Sequence, residues 1–345
     1  MANLASTYRN QGRWKEAEEL QAREMEKTKR VLGEEHPNTL TSMANLALIY
    51  ENQGRWKEAE GLGARVMEVR KRVLGEEHPD TLTSMGNLAL TYENQGRWKE
   101  AEDLEVRVME VRKGVLGEEH PNTLTSMGNL ALIYENQGRW KEAEGLGARV
   151  MEVRKGVLGE EHPDTLTSIS NLASTYENQG RWKEAEGLGA RVMEVRKGVL
   201  GEEHPDTLTS ISNLASTYEN QGRWKEAEDL EAQVMEVRKR VLGEEHPDTL
   251  TSMNNLASTY MNQGRWKEAE ELQAREMEKT KRVLGEEHPD TLTSMANLAC
   301  TWRSQGRSGD ALALMWHCVG LRKRVLGSDH PDTAYTLMIL ASWQE

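Results

Sequence analysis

The stretch NLASTYENQGRWKEAE occupies residues 171–186 and returns letter for letter at 213–228, and six further passages differ from it only slightly. Trp14, Trp56, Trp98, Trp140, Trp182, Trp224 and Trp266 stand 42 residues apart, and the His-Pro pairs from His36-Pro37 to His330-Pro331 keep the same step. A fixed period of about 20–50 residues marks a solenoid, whose units bury apolar faces only by stacking on neighbours. Length alone would suggest two or three domains at about 100–200 residues each. The period instead predicts one array over residues 1–345.

Within one unit, Leu82, Met85, Leu88, Ala89 and Tyr92 recur at spacings of three and four, along one side of a helix. This helix A is predicted over about residues 80–94. It opens at His78-Pro79-Asp80, where proline suits a first helical position and aspartate favours the positive helix end. Gly96 offers a stop, because glycine tolerates the left-handed conformation that often closes a helix. Helix B is predicted from about Trp98 to Leu116, with Ala101, Leu104, Val108, Val111 and Val115 as a second apolar stripe, and Gly117-Glu118-Glu119-His120-Pro121 ends it. The whole chain reads as nine A and eight B helices with no strand pattern, an all-α fold.

Two details mark the ends. Met1 falls where Met43 and Met85 fall, so the first helix A is expected to be truncated, as in an excised piece or at a trimmed boundary. Residues 290–331 form a divergent repeat, and 332–345 a ninth helix A that serves as a cap. Leu337, Met338, Ile339, Leu340 and Trp343 make that cap apolar, so it either packs on repeat eight or has lost a neighbour.

Composition narrows the function classes. At 37% apolar and 29% charged, with no apolar run near the roughly 20 residues of a membrane-spanning helix, no membrane partner is expected. MANLASTYRNQGRW has no basic-then-apolar segment and is not a secretion signal. Cys300 and Cys318 fit no recurring framework, which suits a reducing cytoplasmic setting without disulfides. Net charge is −13, with Lys and Arg interspersed among Glu, so the basic footprint of a nucleic-acid binder is missing.

Leu88-Ala89-x-x-Tyr92 and Ala101 resemble the tetratricopeptide repeat pattern, Leu-Gly-x-x-Tyr in the first helix and Ala-x-x-x-Phe in the second. The long helix B and the Val-Leu-Gly-Glu-Glu-His-Pro-Asp linker are similar to the 42-residue repeats of kinesin light chains. The resemblance covers the whole chain and implies an α-solenoid, a right-handed superhelix of about eight helix-turn-helix units plus a capping helix. The Asn-Gln-Gly-Arg-Trp-Lys-Glu-Ala-Glu units, closed by a divergent repeat around Leu298–Arg307, also resemble the C-terminal arrays of fungal NOD-like receptors. That implies a ligand sensor attached to an upstream nucleotide-binding domain. The chain has no Gly-Lys pair, so the phosphate loop of such a switch is not within it.

There are departures. The position of the family's helix B aromatic holds Gln21, Gly63, Glu105, Gly147, Gly189, Glu231 and Gln273, and the chain has no Phe. Glycine inside a helix costs about 1 kcal/mol relative to alanine, so Gly61 and Gly63 mean either close backbone approach or tolerated drift. Val66 and Val69 become Glu24 and Lys27 in repeat one and Glu276 and Lys279 in repeat seven, so part of that stripe is expected to reach solvent.

In the family, helix A lines an extended concave surface. The side turned away from Leu82, Met85 and Tyr92 carries Thr83, Asn87, Leu90 and Asn94. Asn45, Asn87, Asn129, Asn171, Asn213, Asn255 and Asn297 form a ladder there, each with one acceptor and two donors able to hold a peptide backbone. Kinesin light chains use asparagines on this face for peptide, which the resemblance carries over; the alternative is that these amides tie neighbouring helices together. Three series change along the groove. One runs Ser6, Leu48, Leu90, Leu132, Ser174, Ser216, Ser258 and Cys300; a second Ala2, Ala44, Gly86, Gly128, Ser170, Ser212, Asn254 and Ala296; a third Arg9, Glu51, Glu93, Glu135, Glu177, Glu219, Met261 and Arg303. The pattern predicts an extended peptide with apolar side chains against Leu48, Leu90 and Leu132 and a basic group near Glu51, Glu93 and Glu135, with neutral drift among duplicated units as the alternative.

Catalysis finds little support. One His and one pair of carboxylates per turn do not converge on an ion or an asymmetric pocket, so neither metal nor cofactor is expected. The Trp series follows helix spacing and reads as packing. Cys300, His317 and Cys318 are the one singular combination, without a supporting motif for a nucleophile. Two classes remain: a non-enzymatic sensor or adaptor that binds peptide or protein, and a structural or self-associating scaffold, including a consensus-like engineered array.

Overall fold

The computed structural model describes residues 2–343 apart from 11, 12 and 329, with backbone only at residues 2, 3, 9 and 10. The predicted start at Met1, the side chains of Ala2 and Arg9, and the end of the cap at 344–345 lie outside the described residues.

Seventeen helices and no strand are found among the described residues. The A elements are α1 (Ala2–Asn10), α3 (Pro37–Asn52), α5 (Pro79–Asn94), α7 (Pro121–Asn136), α9 (Pro163–Asn178), α11 (Pro205–Asn220), α13 (Pro247–Asn262), α15 (Pro289–Ser304) and α17 (Pro331–Ser342). The B elements are α2 (Trp14–Leu32), α4 (Trp56–Leu74), α6 (Trp98–Leu116), α8 (Trp140–Leu158), α10 (Trp182–Leu200), α12 (Trp224–Leu242), α14 (Trp266–Leu284) and α16 (Ser308–Val325). The fold is an all-α solenoid of helix-turn-helix units.

Each boundary has a local cause. His120 caps α7 with its ring, Nδ1 accepting from the Asn122 amide at 3.1 Å, while Pro121 takes the first helical position and loses no hydrogen bond by lacking an N–H. Gly96 closes α5 at φ 71°, letting the Arg97 amide reach back to the Tyr92 carbonyl at 2.8 Å. Gly117 closes α6 at φ 93°, its own amide bonded to the Lys113 carbonyl at 3.1 Å.

Helix α7 packs between its own helix B and the preceding one. Leu124 and Met127 of α7 meet Val150, Val153 and Leu146 of α8 on one side and Met109 of α6 on the other. The B stripe is buried at Ala101 and Val108 but ends early, for Val115 lies exposed on the last turn. Glu276 corrects a second expectation, since this replacement for valine is buried rather than solvated. Lys279 pairs with Glu244 at 2.7 Å.

The chain divides into two compact units, residues 1–69 with 238–345, and residues 70–237. In the first, the α3–α4 turn lies against the start of α15, where the Asn52 carbonyl is 3.0 Å from His288 Nε2 and Gly54 faces Pro289 too closely for any side chain. Trp56 stacks on His330 at 5.4 Å between ring centroids. The cap helix packs on repeat eight through Leu340, Leu337, Ile339 and Trp343, leaving Tyr335 and Met338 exposed.

Candidate binding face on helix A

The copied phrase proves to be wiring between repeats. Gln137 Nε2 donates to the Trp98 carbonyl at 3.3 Å and to Glu102 Oε2 at 2.9 Å, one repeat back. Arg139 donates to Glu102 Oε1 at 2.8 Å while its guanidinium lies 4.0 Å from the centre of the Tyr134 ring. In the first unit Gln53, Arg55, Glu18 and Tyr50 repeat the arrangement. Tyr, Gln, Arg, Trp and Glu of the phrase thus hold one joint, and the sequence pattern alone gave no sign of that pairing.

The predicted face lies on the other side of helix A. Leu48 and Leu132 are half-buried and Leu90 is 46% exposed, whereas Ser174, Ser216 and Ser258 are exposed. The asparagines range from half-buried to exposed. Two of them tie helices together: Asn129 Nδ2 donates to Glu105 Oε1 at 3.3 Å, and Asn297 Nδ2 to Asn254 Oδ1 at 2.9 Å. At these two positions the amides do what the sequence offers as the alternative, tying neighbouring helices together.

Glu93 accepts from Asn136 Nδ2 at 2.7 Å, and Glu135 accepts from Ser174 Oγ at 2.8 Å, from Thr175 Oγ1 at 3.1 Å and from Asn178. These carboxylates bridge successive A helices while facing the groove. Burial raises the pKa of Glu93 and Glu177 above the usual carboxylate range.

The floor of the groove is set by the helix B position that lacks the family aromatic. Where it is Gln or Glu, the side chain fills the floor: Gln21, Glu105, Glu231 and Gln273 are all buried, with Gln21 donating to the Ser42 carbonyl at 3.1 Å and Glu231 accepting from Ser212 at 3.3 Å. Where it is Gly189, a cavity of about 250 Å³ opens, lined by Ser174, Glu177, Asn213 and Ser216. A Cβ added at Gly189 would make ordinary contact with Leu214 Cδ1 at 3.7 Å, and one at Gly61 would meet open space, so close backbone approach does not explain these glycines. The cavity brings together three residues of the predicted face, Ser174, Asn213 and Ser216.

Glu105 is strongly perturbed by its surroundings. Only 1% exposed, its carboxyl is pushed up to about 7, chiefly by burial, with the Asn129 hydrogen bond and the charge of Arg112 acting in the opposite direction. Cys300 packs against the core cluster that holds Cys318, but His317 is exposed and turned to Glu286, so the three do not converge. Cys318 donates to the Leu292 carbonyl at 3.1 Å, His317 Nε2 lies 3.4 Å from Glu286 Oε1, and burial raises both thiols, opposite to what a nucleophile requires. No cluster suited to a metal ion occurs among the described residues, and no helix is long and apolar enough to cross a membrane.

Comparison with known proteins places this architecture. A crystal structure of a Podosopora anserina kinesin light chain protein with nearly identical TPR-like repeats is 34% identical, covers 59% of this chain and 97% of its own, and gives a TM-score of 0.50. BtubC from P. vanneervenii, at 19% identity and TM-score 0.54, covers 67% of this chain and 92% of its own. The Rap protein complexed with Competence and Sporulation Factor, at 11% identity and TM-score 0.57, covers 99% and 96%. The last two likenesses are of fold alone. No curated protein matches by sequence. The tetratricopeptide repeat model matches at 1–63, 43–114, 95–156, 127–196, 164–240, 212–261 and 248–315, and with the helix-turn-helix solenoid above, this makes the chain a member of the tetratricopeptide repeat family.

Proposed function

We propose that the chain is a non-catalytic module that binds an extended peptide or protein segment along the exposed face of its A helices. The observation that carries this reading is the cavity above Gly189, open on that face and lined by Ser174, Glu177, Asn213 and Ser216. Leu48, Leu90 and Leu132 supply the apolar contacts and the asparagines the backbone contacts. Tetratricopeptide repeats serve typically as protein-interaction scaffolds, and Rap, a relative in fold, is solved with a bound factor.

By its likeness to fungal receptor arrays, we propose that the module is the ligand-sensing part of a larger NOD-like receptor, in which an upstream nucleotide-binding domain would report occupancy. A cytoplasmic setting agrees with two cysteines that form no disulfide. A kinesin light chain-like adaptor would use the same face. Self-association is the second reading, favoured by Tyr335 and Met338, exposed on the last helix.

A peptide-library selection on the purified chain, beside a variant with Leu48, Leu90 and Leu132 all replaced by serine, tests the groove. Enrichment of basic-apolar peptides that the variant loses is the expected result. No enrichment, together with a mass that rises with concentration, would favour the scaffold.

A further inference from the structure

Repeat seven differs from its neighbours at two positions one helical turn apart, and both changes act on one spot. In six repeats the end of helix B carries an arginine, Arg70, Arg112, Arg154, Arg196, Arg238 or Arg322. Arg196 shows what it does: Nη1 donates to the Asp206 carbonyl at 3.2 Å and to Ser210 Oγ at 2.7 Å, and Nη2 to Thr167 Oγ1 at 3.5 Å. The guanidinium sits in a slot between two successive A helices. In repeat seven this residue is Thr280, and the residue one turn earlier, valine in the five repeats between repeats one and seven, is Glu276.

The slot is then an open cavity of about 200 Å³ between α13, α14 and α15. Thr251, Asp290 and Ser294 line it, the counterparts of the three groups that hold Arg196, and Glu276 joins them. Glu276 is 3% exposed, and its Oε1 accepts from Ser294 Oγ at 2.8 Å and from Thr280 Oγ1 at 2.6 Å. Its Oε2 is buried without a hydrogen-bond partner. A buried carboxylate normally finds a cation or several donors. Lys279, the next residue but two from Glu276, turns instead to Glu244. Repeat one makes the same exchange with Glu24 and Thr28, and Glu24 Oε2 is again buried without a partner.

We propose that this slot binds a guanidinium group from outside the chain, the side chain of an arginine in a bound peptide or protein. It takes the place that the chain's own arginines fill in six repeats, donating to the Asp290 carbonyl and Ser294 Oγ and pairing with the free oxygen of Glu276. Planar, forked donors suit this set of acceptors better than an ammonium ion does. Thr251, Asn254 and Thr293 bring the mouth to the A side of the repeat. The inference rests on the peptide-groove reading for the source of the arginine, and deepens it by naming one anchor.

The test is calorimetric titration of the full chain with methylguanidinium, with methylurea as the neutral comparator, followed by an arginine-containing library peptide. Saturable binding of methylguanidinium and none of methylurea is expected. Glu276→Gln should weaken it by at least about thirtyfold, the low end of what losing one partner of a buried charge pair costs. The double variant Glu276→Val with Thr280→Arg restores the valine-arginine pair of repeats two to six, so it should fold, melt higher than the wild type and bind no methylguanidinium.

Absence of saturable binding by the wild type, or equal binding by the double variant, would overturn the slot. An arginine peptide no tighter than methylguanidinium would overturn a peptide as the source. The triple leucine variant leaves the slot intact. If it loses library peptides and keeps methylguanidinium, the slot stands. Library peptides bound by a wild type that ignores methylguanidinium would sink the slot and leave the groove.

Discussion

Arg55 and Glu105 represent the two kinds of polar residue in this fold. Arg55 lies 4.1 Å from the centre of the Tyr50 ring and bonds to Glu18 of the preceding repeat at 2.8 Å. Arg55→Ala should lower stability by about 1 kcal/mol, since both contacts are partly solvated, and Arg55→Lys should recover only part of it because a lysine lacks the flat fork. Urea midpoints of the two variants check this. Glu105 acts in the opposite sense. Its folded pKa of about 7 lies above the ordinary carboxylate value, so its contribution is fully present below about pH 4.5 and is lost as pH rises through 7. Glu105→Gln should therefore gain about 1–3 kcal/mol over the wild type at pH 8 and almost nothing at pH 4, read from thermal midpoints at both values. The reverse pH trend would show that Arg112 or Asn129 governs the carboxylate, rather than burial.

At the scale of the helix, sequence was most informative where one physical rule acts alone. Helix boundaries followed from His-Pro-Asp and glycine signals, and α5 and α6 occupy almost the predicted residues. Gly117→Ala should cost about 1–3 kcal/mol, because φ of 93° with ψ of 163° is a region open in practice only to glycine. A denaturant midpoint within error of the wild type would contradict that. Spacing failed where two helices must be placed together. The repeated Gln and Arg flank the glycine that closes helix A, but their acceptors lie one repeat away and no local pattern names them. Val115 fits the apolar stripe by period, yet helix B outruns its partner and leaves it exposed. Glu276 was expected in solvent because it is charged, and the paired change of arginine to Thr280 leaves it in a buried slot.

For the whole molecule, the 42-residue period was enough to predict a helical solenoid, since stacking units admit few other solutions. The proposed binding face was only partly readable. Its residues could be named from the side of helix A opposite the core, but whether the floor is open depends on helix B, where Gly189 leaves a cavity and Glu105 and Glu231 are buried side chains. The most direct measurement is the affinity of a library-selected peptide for Gly189→Glu, which copies the plug that Glu231 forms one repeat later, beside Gly187→Glu on the exposed side of the same helix. A peptide groove on this face predicts a loss of at least about tenfold for the first, equivalent to about 1.4 kcal/mol, and none for the second. Equal binding by both variants and the wild type would contradict a peptide groove on the helix A face.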